Sequence, residues 1–213
     1  MRKKRNLFDE LVEGFDALAD QRVGKRALRT HVVNAPRTVK AGRAMLTLRC
    51  TQRVRKRLRL PEQLPEARAS SGALGDWYVH LVRFGHSEFA IVTSERCLLT
   101  MLLPARELRA SLIPNLHASL RGLLERLGVP QERIDLELAA MQPVSFARAT
   151  NRRVLGSMND FAFQARHYLA RGDDLITIAD RLADTPMSAI GEGAGHLGFP
   201  AMLARALLAG GVA

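Results

Sequence analysis

The chain is predicted to belong to the α+β class: an antiparallel β meander covered by several α-helices, with an N-terminal amphipathic helix and short strand as an appendage. Three observations predict this. Three apolar runs, "WYVHLVRF", "EFAIVTS" and "CLLTMLLP", are separated only by Gly85-His86-Ser87 and by Glu95-Arg96. Connections this short exclude helical crossovers, so neighbouring runs pair antiparallel. Leucines at helical spacing then fill the region after Pro114, and a sheet with an apolar face needs such helices to cover it.

The elements follow in order. Asn6, three residues before Asp9, is an N-cap signal, and Leu7, Leu11, Phe15 and Leu18 repeat at helical spacing, so residues 7–22 form an amphipathic helix. The run Thr30 to Val33 has extended character. One helix and one strand cannot bury much apolar surface, so this unit must dock on something, and its four apolar side chains are the candidate partner-binding residues. "NAPRTVKAGRA" reads as a linker. The predicted organisation is a head at 1–33, a linker at 34–44 and an α+β body at 45–213.

In the body, "MLTLRCT" resembles a short strand, and "QRVRKRLRL" is a basic helix anchored by Val54 and Leu58. "PEQLPEARASSGALG" is a loop, and the meander follows. Leu116, Leu120, Leu123, Leu124 and Leu127 form a stripe ending at Gly128, and Pro130 starts another helix with Ile134, Leu138 and Met141. "PVSFARA" returns to strand. A helix capped by Asn151 runs to about Ala170, and Asp174 caps a further one that ends at Thr185-Pro186. "GEGAGHLG" is a flexible stretch, and "PAMLARALLAG" is a last short helix.

Composition bounds function. At 213 residues and 47% hydrophobic, the chain can bury one substantial core. The longest stretch free of Asp, Glu, Lys and Arg, residues 193–204, is too short to span a membrane, where about 20 apolar residues are needed. Acids directly after "MRKKR" exclude a signal peptide, and Cys50 and Cys97 lack zinc-site spacing, so the expected setting is cytoplasmic with free thiols. Residues 1–60 carry 17 Lys or Arg against 5 Asp or Glu, whereas residues 61–213 carry 15 against 16. All of the net +11 is therefore placed early, where it can attract nucleic acid or an acidic protein.

Phosphate-loop, dinucleotide, zinc-protease and nucleophile-elbow patterns are absent from the sequence, and the histidines show no metal-ligand spacing. No metal and no cofactor is expected. "NRRVLGSMND" holds the best ligand candidates: Asn151, Arg153, Ser157 and Asn159 near a helix start, where backbone N–H groups favour an anion. Structurally, Asn151 simply caps, Gly156 and Ser157 pack on the sheet, and Asn159 ties a loop. Trp77, beside Asp76, is either a ligand-site or a core aromatic. Asp76 and Asp160 are candidate bases, and Arg53, Arg55, Lys56, Arg57 and Arg59 are candidate nucleic-acid contacts.

Two resemblances add to this. "RNLFDELVEGFDALADQRVGKRALRTHVV", residues 5–33, is similar to the N-terminal segment of helix-turn-helix-class bacterial antitoxins, but no helix-turn-helix follows it. That resemblance implies docking to a toxin-like protein. "LRCTQRV", "ALGDWYVHLV", "TSERCLLTMLLP", "NRRVLGSMNDFAF" and "RLADTP", within residues 45–185, resemble a bacterial domain family of unknown function, which implies no established activity. Three readings stay open: a protein-interaction module of toxin-antitoxin or defence type acting through the head; an enzyme acting on RNA or a nucleotide, with Arg153 on phosphate; and nonspecific nucleic-acid binding through residues 1–60.

Overall fold

A computed structural model describes residues 45–64, 68–191 and 196–210. The expected helix at 7–22, with Leu7, Leu11, Phe15 and Leu18, and the strand and linker after it lie outside the described residues. In chain order the elements are β1 (Leu46–Cys50), α1 (Gln52–Leu58), β2 (Trp77–Phe84), β3 (Ser87–Ser94), β4 (Thr100–Pro104), α2 (Leu108–Arg126), α3 (Gln131–Ala140), β5 (Val144–Arg148), α4 (Arg152–Ala170), α5 (Leu175–Ala183) and α6 (Pro200–Leu208).

The five strands form one sheet in the order β4-β3-β2-β1-β5. The meander β2-β3-β4 is antiparallel, with Trp77 opposite Ser94 and Phe89 opposite Pro104. Its first turn is tight because Gly85 takes a φ of 59°, a left-handed conformation that suits the twist of a hairpin. The sheet as a whole is mixed, however, which corrects the expectation of a purely antiparallel sheet. β1 pairs in parallel with both β2 and β5, with Leu48 opposite Trp77 on one side and Phe146 on the other. The physical reason is connection length. Residues 51–76 separate β1 from β2, and α2 and α3 separate β4 from β5, so the chain has room to return to the same end of the sheet before each parallel strand begins.

Helices cover both faces. Alternation along the strands sends Leu48, Trp77, Val79, Val92 and Met101 toward α2, α3 and α6, where Leu116, Leu120, Leu124, Ile134 and Leu207 meet them. Tyr78, Val82, Ile91 and Leu102 point the other way and pack on Val154, Met158 and Phe161 of α4 and Ile178 and Leu182 of α5. α5 also lends Ala179 and Ala183 to the first cluster.

Two local departures have clear causes. α2 begins at Leu108, ahead of Pro114, with a non-helical break at Ser111 (φ −133°). The proline lacks an N–H and its ring presses on the preceding turn, so the helix bends there instead of starting after it. Gly156 of α4 does not pack on the sheet, which corrects the expectation for it: the residue is exposed, and a Cβ built there meets nothing within 4 Å.

The loop leading into β2 is clamped. Glu137 of α3 is buried and accepts from the backbone N–H groups of Ala73 (2.6 Å) and Leu74 (3.1 Å), one on each oxygen. Burial pushes its carboxyl above the usual range, against those hydrogen bonds and Arg96, which pull it down. A Cβ at Gly72 would sit 2.5 Å from Glu137 Oε1, so the loop can approach the carboxylate only with glycine there.

Glu137→Gln turns an NH2 group toward one of those two N–H donors and is expected to cost about 1–3 kcal/mol, read from denaturant midpoints. Gly156→Ala, at an open helical position, is expected to stabilise the protein by about 0.5–1 kcal/mol, seen as a higher unfolding midpoint.

Candidate functional site

β1 alternates. Leu46, Leu48 and Cys50 enter the core beneath α2, so Arg49 emerges on the opposite face beside Tyr78, its register partner on β2. Arg49 Nε donates to Asp76 Oδ2 at 2.6 Å, and Asp76 Oδ1 accepts from the backbone N–H of Ser70 at 2.7 Å. Asp76 is only 3% exposed, so its charge is held almost entirely by these two donors. Burial opposes the Arg49 charge, but the Asp76 hydrogen bond and charge outweigh it and hold its pKa above the ordinary value. The guanidinium carbon lies 5.9 Å from the centroid of the Tyr78 ring.

The network continues through the tyrosine. Tyr78 OH donates to Glu95 Oε1 (3.3 Å), and Asn151 Nδ2 donates to the same oxygen (3.1 Å). Asn151 Oδ1 accepts from the backbone N–H groups of Arg153 and Val154, so this one side chain both starts α4 and ties it to the end of β3. Burial first, then the Glu95 charge, pushes the Tyr78 hydroxyl up to about 12, so it stays a donor. Among the described residues, the terminal nitrogens of Arg49 have no hydrogen-bond partner, which leaves a fixed guanidinium with donors to spare.

A second cationic group lies at the C-terminal ends of β1 and β5. Val54 is fully buried and Leu58 half-buried, so α1 turns Arg53, Lys56 and Arg57 to solvent, and Arg59 ends the helix with a φ of 56°. Arg55 Nη1 lies 3.5 Å from the carbonyl oxygen of Glu62, and Arg148 Nη2, from the last residue of β5, donates to that same oxygen at 3.0 Å. Two guanidinium groups thus converge on one neutral acceptor. Arg55 Nε is buried with no partner among the described residues. Arg53 pairs with Glu88 at 3.3 Å, and His80 Nδ1 lies 3.3 Å from Thr51 Oγ1, its pKa lowered by burial and then by Arg53.

The sequence candidates separate in the structure. Asp76 and Asn151 join the Arg49 network; Arg53, Arg55, Lys56, Arg57 and Arg59 line α1. Arg153 is exposed at the start of α4, while Ser157 is buried and donates to the Arg153 carbonyl (3.2 Å). Asn159 and Asp160 are exposed on the outer side of α4, so Asn159 ties no loop by a buried hydrogen bond. Trp77 is 0% exposed on the opposite face of the sheet from Tyr78, so it does not meet Asn151, and its Nε1 has no partner among the described residues. Arg49, Tyr78, Glu95 and Arg148 were not foreseen. A charge alternating with apolar residues in "LTLRC" was the available signal for Arg49.

Cys50 and Cys97 are free and buried, and burial pushes their thiols up to about 12 and about 11. No group of His, Cys, Asp and Glu among the described residues could hold a metal ion, and no described helix is long and apolar enough to cross a membrane. A groove of about 390 Å³ lies elsewhere, between β4, α2 and α5, lined by Leu102, Gly122, Arg126 and Ile176.

A mixed sheet covered on both faces, with a basic corner and an ion-paired polar network, defines the class. The chain matches the family described as a domain of unknown function (DUF6933) over residues 47–202, and it belongs to that family. No curated protein and no solved structure matches it. The family match does not reach residues 5–33, and no comparison shows the expected likeness of that segment to antitoxins.

Arg49→Ala leaves the Asp76 carboxylate buried without its cation and is expected to cost about 3 kcal/mol. Adding Asp76→Asn removes that charge while keeping an acceptor for Ser70. The double variant is expected to be clearly more stable than the two single effects summed, as measured in a double-mutant cycle of denaturant unfolding.

Proposed function

We propose that this protein binds nucleic acid through the basic corner formed by α1, the end of β5 and the start of α4. The single observation that carries the reading is the convergence of Arg55 and Arg148 on the Glu62 carbonyl oxygen. Two like charges held this close repel each other, and an anionic phosphate between or beside them relieves that repulsion. The surroundings support it. Residues 45–60 hold six Lys or Arg and no acid, and Arg53 of α1 pairs with Glu88. Arg148, Arg152 and Arg153 follow within a few residues on the same corner and are exposed.

Binding is favoured over catalysis by the state of the candidate bases. Asp76 is 3% exposed and each of its oxygens is engaged, by Arg49 and by Ser70, so a substrate has little access to it as a proton acceptor. Asp160 is exposed two turns along α4 from the cap.

The test is fluorescence anisotropy of a labelled oligonucleotide with the full chain across a salt series. Affinity is expected to fall steeply with salt, and Arg55→Ala with Arg148→Ala should weaken binding and lower the slope of log K against log salt by about 1 per lost phosphate contact. Undetectable binding at low salt, or an unchanged slope in the double variant, rejects the reading.

A further inference from the structure

The outward face of α4 carries a pattern that folding does not explain. Residues 152, 156, 159, 163 and 166 recur at three- and four-residue intervals and so share one face, opposite buried Val154, Met158 and Phe161. Phe163 stands on that face 77% exposed, the most exposed large apolar side chain among the described residues. About two turns before it is Gly156, open to solvent, where glycine weakens the helix and nothing in the described chain uses the space. Arg152 and Arg166 bracket the pair, and Arg153 and Arg171 flank it.

The charges on this face are of one sign with a single exception. Five described arginines pair with carboxylates: Arg49 with Asp76, Arg53 with Glu88, Arg121 with Asp135, Arg126 with Asp180 and Arg181 with Asp173. Among the described residues, Arg152, Arg153, Arg166 and Arg171 have no ion-pair partner, and Asp160 is the one acid on the exposed side of α4. An unneutralised cationic stripe with one exposed aromatic and one indentation in the helix surface is complementary to a ligand that carries repeated negative charge and flat rings.

We infer that the outward face of α4 binds single-stranded nucleic acid, a base stacking on Phe163 while the sugar-phosphate backbone lies over Gly156 between Arg152 and Arg166. This rests on the nucleic-acid reading above and adds the strandedness of the ligand. Stacking needs an unpaired base with an open π-face, which a duplex withholds, whereas the arginines alone serve either form. The chain passes from Arg148 at the basic corner to Arg152 within four residues, so one strand can run from that corner onto α4.

The test compares a labelled single-stranded oligonucleotide with a hairpin of equal length, both titrated against the full chain at low salt, with polyglutamate as competitor. The expected result is tighter binding of the single strand. Phe163→Ala weakens the single strand by about 5- to 100-fold and leaves the hairpin unchanged, while Phe163→Trp retains binding. Gly156→Leu, which fills the indentation with a good helix former, also weakens the single strand. If both probes bind alike and Phe163→Ala changes neither, or changes both equally, this inference falls while the basic-corner reading stands. If neither probe binds, both fall. If polyglutamate binds the full chain as tightly as the single strand does and loses affinity in Phe163→Ala, the face recognises an acidic protein, and the single-strand inference is overturned.

Discussion

β1 is five residues long and is hydrogen-bonded on both sides, to β2 and to β5, each in parallel. Its position in the sheet determines much of what surrounds it. With both backbone edges occupied, β1 can present only side chains, and alternation divides them: leucines and a cysteine to one layer of helices, Thr47 and Arg49 to the other face. A shift of one residue would bury Arg49 among leucines and expose Leu48. That cost makes the register unambiguous. The same register puts Arg148 opposite Cys50, next to the start of α1, and Tyr78 opposite Arg49. The polar network and the basic corner are both consequences of one strand pairing.

The network around Arg49 shows how a partly buried ion pair can organise more than it stabilises. The pair itself trades desolvation against attraction, and its net contribution is small compared with the penalty for breaking it. Its value lies in the links. Asp76 precedes β2, Ser70 belongs to the loop before it, Tyr78 follows, Glu95 leaves β3, and Asn151 opens α4. Five separate stretches of chain are held in register by directional bonds at a place where apolar packing alone would allow sliding. Glu137 does the same for residues 73 and 74, between Ser70 and Asp76, from the opposite layer.

α4 has two dissimilar sides. Its inner side is an ordinary apolar stripe with a buried serine bonded to the preceding turn. Its outer side departs from what helix stability favours: an exposed glycine, an exposed phenylalanine, and arginines without carboxylate partners. Natural chains keep local choices consistent with the fold except where another demand competes. On α4 these departures are confined to one face, adjacent to the basic corner, which is the placement that the proposed ligand requires.

Much of the architecture was legible in the residues themselves. Hydrophobic period, turn glycines and caps are local, so the meander, the helical stripes after Pro114 and Pro130 and the caps Asn151 and Asp174 could all be read from the residues, whereas Trp77 stayed open between core and ligand site. Charge placement was equally plain, since counting needs no geometry. The parallel sense of β1 and β5 was not legible, because residues 51–76 and the α2–α3 segment are long enough to permit either direction. The meeting of Arg49, Tyr78, Glu95 and Asn151 was likewise hidden: each is separated from the others in sequence, and only strand order decides which of them become neighbours. Sequence alone determined which segments are helix, strand or loop and where positive charge accumulates; tertiary structure decided which cations stand together and which are neutralised, because side-chain proximity across a sheet depends on register and order, and neither is encoded within any single segment.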